Sequence, residues 1–145
     1  MKKIPTGISD LDSIIKGGIP AGSVVLLMNE IGAGGLEYLY TSSAKLLRVI
    51  EEPEDIHILL GDECRQSILP KEVHYVTFSR SMEDILDEVQ ISFNQDYYDV
   101  IEENLNIKDF SESYFKRTMV PPGWTGKRKK KNIFSDNSDS GLLED

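Results

Sequence analysis

Apolar residues along the chain fall into short runs and helical stripes that alternate. Ser23-Val24-Val25-Leu26-Leu27-Met28 is an uncharged apolar run of the kind that fills a strand buried on both faces of a parallel sheet. Leu36-Glu37-Tyr38-Leu39-Tyr40 and onward to about Arg48 takes a helical period. Val73 to Phe78 predicts a second strand. Met82 to Phe93 predicts a helix with Ile85, Leu86, Val89 and Phe93 on one face and Glu83, Asp84, Asp87 and Glu88 on the other, a stripe that reads as core packing rather than a cofactor box. Tyr97-Tyr98 and Val100-Ile101 extend the helical region. Between these, Glu51-Glu52-Pro53-Glu54-Asp55 reads as a solvated loop and Ile56 to Leu60 as an extra short strand or helix. There is no internal repeat. Strands alternating with amphipathic helices place the chain in the α/β class.

The turn between the first strand and its helix is Asn29-Glu30-Ile31-Gly32-Ala33-Gly34-Gly35-Leu36. A phosphate-binding loop at this place has the form G-x-x-x-x-G-K-[ST]: backbone N–H groups cradle phosphates, the Lys reaches the β/γ-phosphates and the hydroxyl holds Mg²⁺. On that frame Asn29 replaces the first Gly, Gly34 keeps the second, Gly35 replaces the Lys and Leu36 the Ser/Thr. The spacing is that of a P-loop and the charge is gone. Taken alone, such a turn is equally well a tight connection that binds nothing.

Upstream, Ile4 to Ser23 runs T-G-I, two residues, L-D, a short helix, G-G-I-P, then G-S before the strand. This segment resembles the entry to the KaiC and RadA branch of the RecA-like ATPases and covers roughly the first third of the chain. The resemblance continues over Val73 to Ile85, where the family has its next core strand ending in a Glu-Glu pair; here the pair is Ser79-Arg80. Leu105-Asn106-Ile107 with Tyr114-Phe115 resembles the family's next strand and turn, ending at Met119-Val120-Pro121. The resemblance implies a RecA-like P-loop NTPase fold, a parallel sheet flanked by helices, with only about three core strands encoded. In active relatives a glutamate at the end of the first of these two strands polarises the attacking water, a task neither Ser79 nor Arg80 can perform. Phosphoryl transfer rests on positioning and charge neutralisation, and each lost electrostatic donor costs roughly 10²–10³ in rate. Among family members the chain is most similar to inactivated archaeal KaiC-like paralogues, the HTR-like proteins implicated in signal transduction, in which the G-A-G-G and strand-end S-R variants occur together. The resemblance therefore implies no catalytic residue, no metal, and no cofactor, with weak ATP binding as the alternative.

A complete KaiC-like domain is longer and carries a later strand ending in the Asp that supports Mg²⁺; nothing after Trp124 resembles it. The expectation is an N-terminal portion of a larger domain: residues 1–120 the KaiC/RecA-like part, 121–141 a basic flexible loop, and 142–145 the opening of a helix cut short. A natural end at Asp145 is the alternative.

Met1-Lys2-Lys3 is followed by Pro5, Thr6 and Gly7 rather than an apolar stretch, which does not fit a signal peptide, and no apolar run reaches the roughly 20 residues of a membrane span. The expected location is cytoplasmic. Cys64, flanked by Glu63 and Arg65, is the single cysteine, so no internal disulfide forms. His57 and His74 lack ligand partners at metal spacing and read as structural.

Charge is uneven. Lys116 to Lys131 holds seven basic and no acidic residues, leaving a surplus of 16 acidic charges elsewhere to give the net -9. Clustered Lys and Arg around Trp124 could contact phosphate or nucleic acid. A solvated loop is the preferred reading, because the acidic remainder repels a polyanion and Pro121-Pro122-Gly123 signals a turn.

Three functional classes follow: a pseudo-ATPase module that regulates through protein contacts, a nucleotide-binding but non-hydrolysing switch, and a RadA-like recombinase paralogue. Glu30 and Glu37 weigh against the second by placing negative charge beside any phosphate. The third would need DNA-contacting loops that lie beyond Asp145. The first is preferred, with a protein partner or a second copy engaged through RecA-like faces, and neither nucleic acid nor membrane.

Overall fold

A computed structural model describes residues 2–117 of the chain. The expected basic loop beyond Arg117 and the expected helix opening at 142–145 lie outside the described residues.

The N-terminal region closes on itself through a short antiparallel pair, β1 (Lys3–Ile4) with β2 (Ile19–Pro20), around α1 (Ser9–Ile14). Three devices hold it. The Asp12 carboxylate, fully buried, accepts from the backbone N–H groups of Thr6 at 2.7 Å and Gly7 at 3.2 Å, which satisfies a charge that would be costly to bury alone. The Lys3 ammonium donates to the carbonyls of Ile15 at 2.6 Å and Lys16 at 2.9 Å, the exposed carbonyl end of α1 where a cation is favoured. Gly18, at φ +112°, lies so close to Ile4 that a Cβ would overlap the Ile4 carbonyl, so the G-G-I-P motif has a packing reason at this position.

After an irregular stretch, α2 (Gly35–Glu51) is the spine of the molecule. Tyr40, Ala44 and Leu47, spaced four and three apart, line one face and form the main core with Ile85, Val89, Ile101 and Leu105. Val49 points elsewhere, into a second cluster with Leu60 and Cys64. Each fully buried Val, Leu or Ile contributes roughly 1.5–3 kcal/mol by leaving water. The segment read as a short strand or helix is α3 (Ile56–Leu59), followed by a single turn at Asp62–Cys64 that packs on α1.

The C-terminal half is a parallel pair, β3 (His74–Thr77) with β4 (Asn106–Asp109), in register from His74 opposite Asn106 to Thr77 opposite Asp109. A parallel pair needs a crossover, supplied by α4 (Met82–Ser92) and α5 (Gln95–Asn104). The helical region expected to run on from Phe93 is broken in two. Phe93 is extended, and Asn94 caps α5 by accepting from Tyr97 N–H at 3.0 Å, as Ser81 caps α4 through Asp84 N–H at 3.1 Å. A short α6 (Ser111–Lys116) follows β4.

The strand expected over Ser23 to Met28 does not form: the residues are irregular and every one is exposed. A strand buried in a parallel sheet needs hydrogen-bonded neighbours, and neither two-stranded sheet offers this run a partner. Of the roughly three core strands expected, two are present as β3 and β4. The chain is thus a mixed α/β protein with a small parallel sheet flanked by helices, and no helix among the described residues is long and apolar enough to cross a membrane.

Candidate functional site

Asn29 to Leu36 form one Gly-rich turn leading into α2. Ala33 N–H donates to the Glu30 carbonyl at 3.0 Å, closing a tight turn, and Gly34 at φ +75° is the left-handed residue from which the helix starts. Asn29, Glu30, Ile31, Gly32, Ala33 and Leu36 are exposed, and Gly34 and Gly35 half-buried. No side chain caps α2, so its first N–H groups are available at the helix's partly positive end.

Two features argue against an anion seated there. The Asn29 side chain folds over Gly35: a Cβ on Gly35 would lie 2.5–2.7 Å from the Asn29 carboxamide atoms, so the amide occupies the space from which a lysine stem would leave the loop. The Glu37 carboxylate also turns back toward the loop, 3.7 Å from where a Gly34 Cβ would stand. The lip of the turn carries Glu30 and Glu37 and no cation. The residues present do not fit an Mg²⁺–nucleotide: Asn29 to Leu36 hold no lysine and no hydroxyl, and the ionisable groups beside the turn are acidic.

The strand-end pair lies apart from this loop in role. Ser79 is exposed. Arg80 turns inward: its N–H donates to Thr77 Oγ1 at 3.3 Å, Thr77 Oγ1 donates to the Arg80 carbonyl at 2.8 Å, and its guanidinium pairs with Glu88 on α4. Glu88 also accepts from the Tyr40 hydroxyl at 2.9 Å, and Tyr40 stacks on Tyr75 at 6.0 Å. Burial, and then the bond to Glu88, hold the Tyr40 hydroxyl well above its ordinary pKa, so it stays a donor. Arg80 is therefore committed to tying the end of β3 to α2 and α4.

His57 Nδ1 lies 3.1 Å from the Glu54 carbonyl and His74 Nε2 2.9 Å from a Glu72 carboxylate oxygen. No group of three or more His, Cys, Asp or Glu among the described residues is placed to hold a metal.

The sequence reading missed an aromatic cluster just past the carboxyl ends of the parallel strands. Phe78 stacks on Phe110 at 5.8 Å and meets Tyr114 edge-on at 6.3 Å, all three about half exposed. The signal was there in part: once Thr77 and Asp109 are opposite each other, the next residue of each strand is a Phe. Comparison with protein-family models, with curated proteins and with solved structures gives no match for this chain.

Proposed function

We propose that this chain is a non-catalytic module of the KaiC/RecA-like kind, a pseudo-ATPase that acts in regulation or signalling through protein contacts. The observation that carries the reading is the Asn29–Leu36 turn: it keeps a P-loop's spacing, yet Asn29 covers Gly35 and both nearby ionisable groups are acidic. The strand end supports it, since Arg80 offers no carboxylate to orient water and is already paired with Glu88. The uncapped start of α2 favours a second reading, a weak nucleotide switch without turnover.

Titration calorimetry with ATP and Mg²⁺, alongside a phosphate-release assay, tests both. The expected outcome is release at the buffer rate and affinity at least about tenfold below that of an intact P-loop, the effect of one lost charged hydrogen bond. Micromolar, Mg²⁺-dependent binding would move the conclusion to the switch. Gly35→Lys with Leu36→Thr should improve ATP affinity only if the Asn29 side chain swings away, and should not restore turnover, because Ser79 and Arg80 remain.

A further inference from the structure

Along the irregular run from Val24 to Met28 exposure alternates with a period of two: Val24, Leu26 and Met28 are 98, 81 and 83 % exposed, while Val25 and Leu27 between them are 61 and 45 %. The more exposed side of the run presents three large apolar residues to solvent, with the fully exposed Ile31 just beyond. A monomer rarely leaves so much contiguous apolar surface open. At roughly 150–200 Å² for each fully exposed residue, Val24, Leu26, Met28 and Ile31 expose roughly 550–750 Å², a little under the roughly 800 Å² per partner of a standard interface.

What can cover this face is narrowed by charge. The protein carries -9 overall, yet from Gly17 to Asn29 there is not one charged residue, and Glu30 at the end of that strip is the single charge between Val24 and Ile31. This strip is where like-charged copies can approach without opposing each other. It is also self-complementary, apolar against apolar, which suits an isologous two-fold contact.

We propose that two copies of this chain associate through Val24, Leu26, Met28 and Ile31, outward face against outward face, about a two-fold axis passing beside Leu26. Leu26 of one protomer then lies against Leu26 of its partner.

Sedimentation or light scattering on the full chain tests this over about 1–100 μM, the range in which a modest interface of this size assembles. The mass is expected to rise from 16.4 kDa toward twice that value and stop there. Leu26→Lys and Leu26→Glu, both on an exposed residue, should each remain monomeric with an unchanged far-ultraviolet circular dichroism spectrum. Mixed together they should form a one-to-one heterodimer, because opposite charges then meet at the axis. Ile91→Lys, an equally exposed apolar residue on α4, should dimerise like the parent. The proposal is overturned by a mass of 16.4 kDa at every concentration, by growth beyond a dimer, by a Leu26→Lys protein that still dimerises, or by failure of the two charged variants to pair.

Discussion

Cys64 and Asp12 show how much single residues hold in the N-terminal region. Both are fully buried, and Asp12 spends its carboxylate on the N–H groups of Thr6 and Gly7. Burial, with the Asp12 charge beside it, pushes the Cys64 thiol up to about 11. In the unfolded chain the thiol ionises near 9, so between about pH 9 and 11 the unfolded state sheds a proton that the folded state keeps. Cys64's contribution is thus whole below pH 9 and is lost as pH rises toward 11, by something on the order of 1–3 kcal/mol. Tyr40 and Tyr75 are also raised, from an ordinary value of 10.0, so they add to the loss only above that pH. Urea unfolding at half-unit steps should therefore show stability falling from pH 9 to 10, and Cys64→Ala should flatten that interval. An unchanged slope would mean that the thiol is not buried as described. None of this was visible in the sequence, where Cys64 between Glu63 and Arg65 looks like an ordinary thiol; its burial comes from the meeting of α1, α3 and the turn after it.

At the scale of elements, the helices were legible because their periodicity is local. Ile85 and Val89 lie on the buried face of α4 as their spacing requires, and α2 starts within a residue of its expected position. What failed was partner-dependent: Ser23–Met28 has a strand's composition, but composition cannot supply the neighbouring strand. The sequence reading took the Ser79-Arg80 pair only as a place without a carboxylate and not as a structural tie. The Arg80–Glu88–Tyr40 network shows that tie, since it joins β3, α4 and α2. Arg80→Glu would set a carboxylate against Glu88. The expected cost is roughly 1–3 kcal/mol, from like charges and a lost charged hydrogen bond in a partly buried place. Adding Glu88→Arg should recover most of it. A double-mutant cycle by chemical denaturation measures the coupling, and strictly additive effects would show that the two side chains do not interact.

For the whole molecule, the two clusters share α2 and little else. The first, with Tyr40, Ala44 and Leu47, secures the β3–α4–α5–β4 half; the second, with Val49, secures α3 and the segment after it. The N-terminal clasp reaches this second part through Ile68 N–H, which donates to the Lys3 carbonyl at 2.8 Å, and through Ser67 Oγ, which donates to the Gly17 carbonyl. The α/β class was legible from alternation alone. The layout of the candidate site was legible only as spacing, because the position of the Asn29 amide over Gly35 depends on how the turn closes.

The run from Val24 to Ile31 belongs to neither cluster, and this makes it a seam in the covalent chain. Residues before it are fastened by Asp12, Lys3 and the β1–β2 pair, and residues after it by α2, so continuity of the backbone there adds little to the folded architecture. Within residues 2–117, brief chymotrypsin treatment of dilute protein should cut at Leu26, Leu27 or Met28 first, exposed tips being where nicking concentrates. The two pieces should stay together through gel filtration and separate only in denaturant. Immediate dissociation of the nicked protein would show that the N-terminal clasp is held by its tether and not by its own bonds.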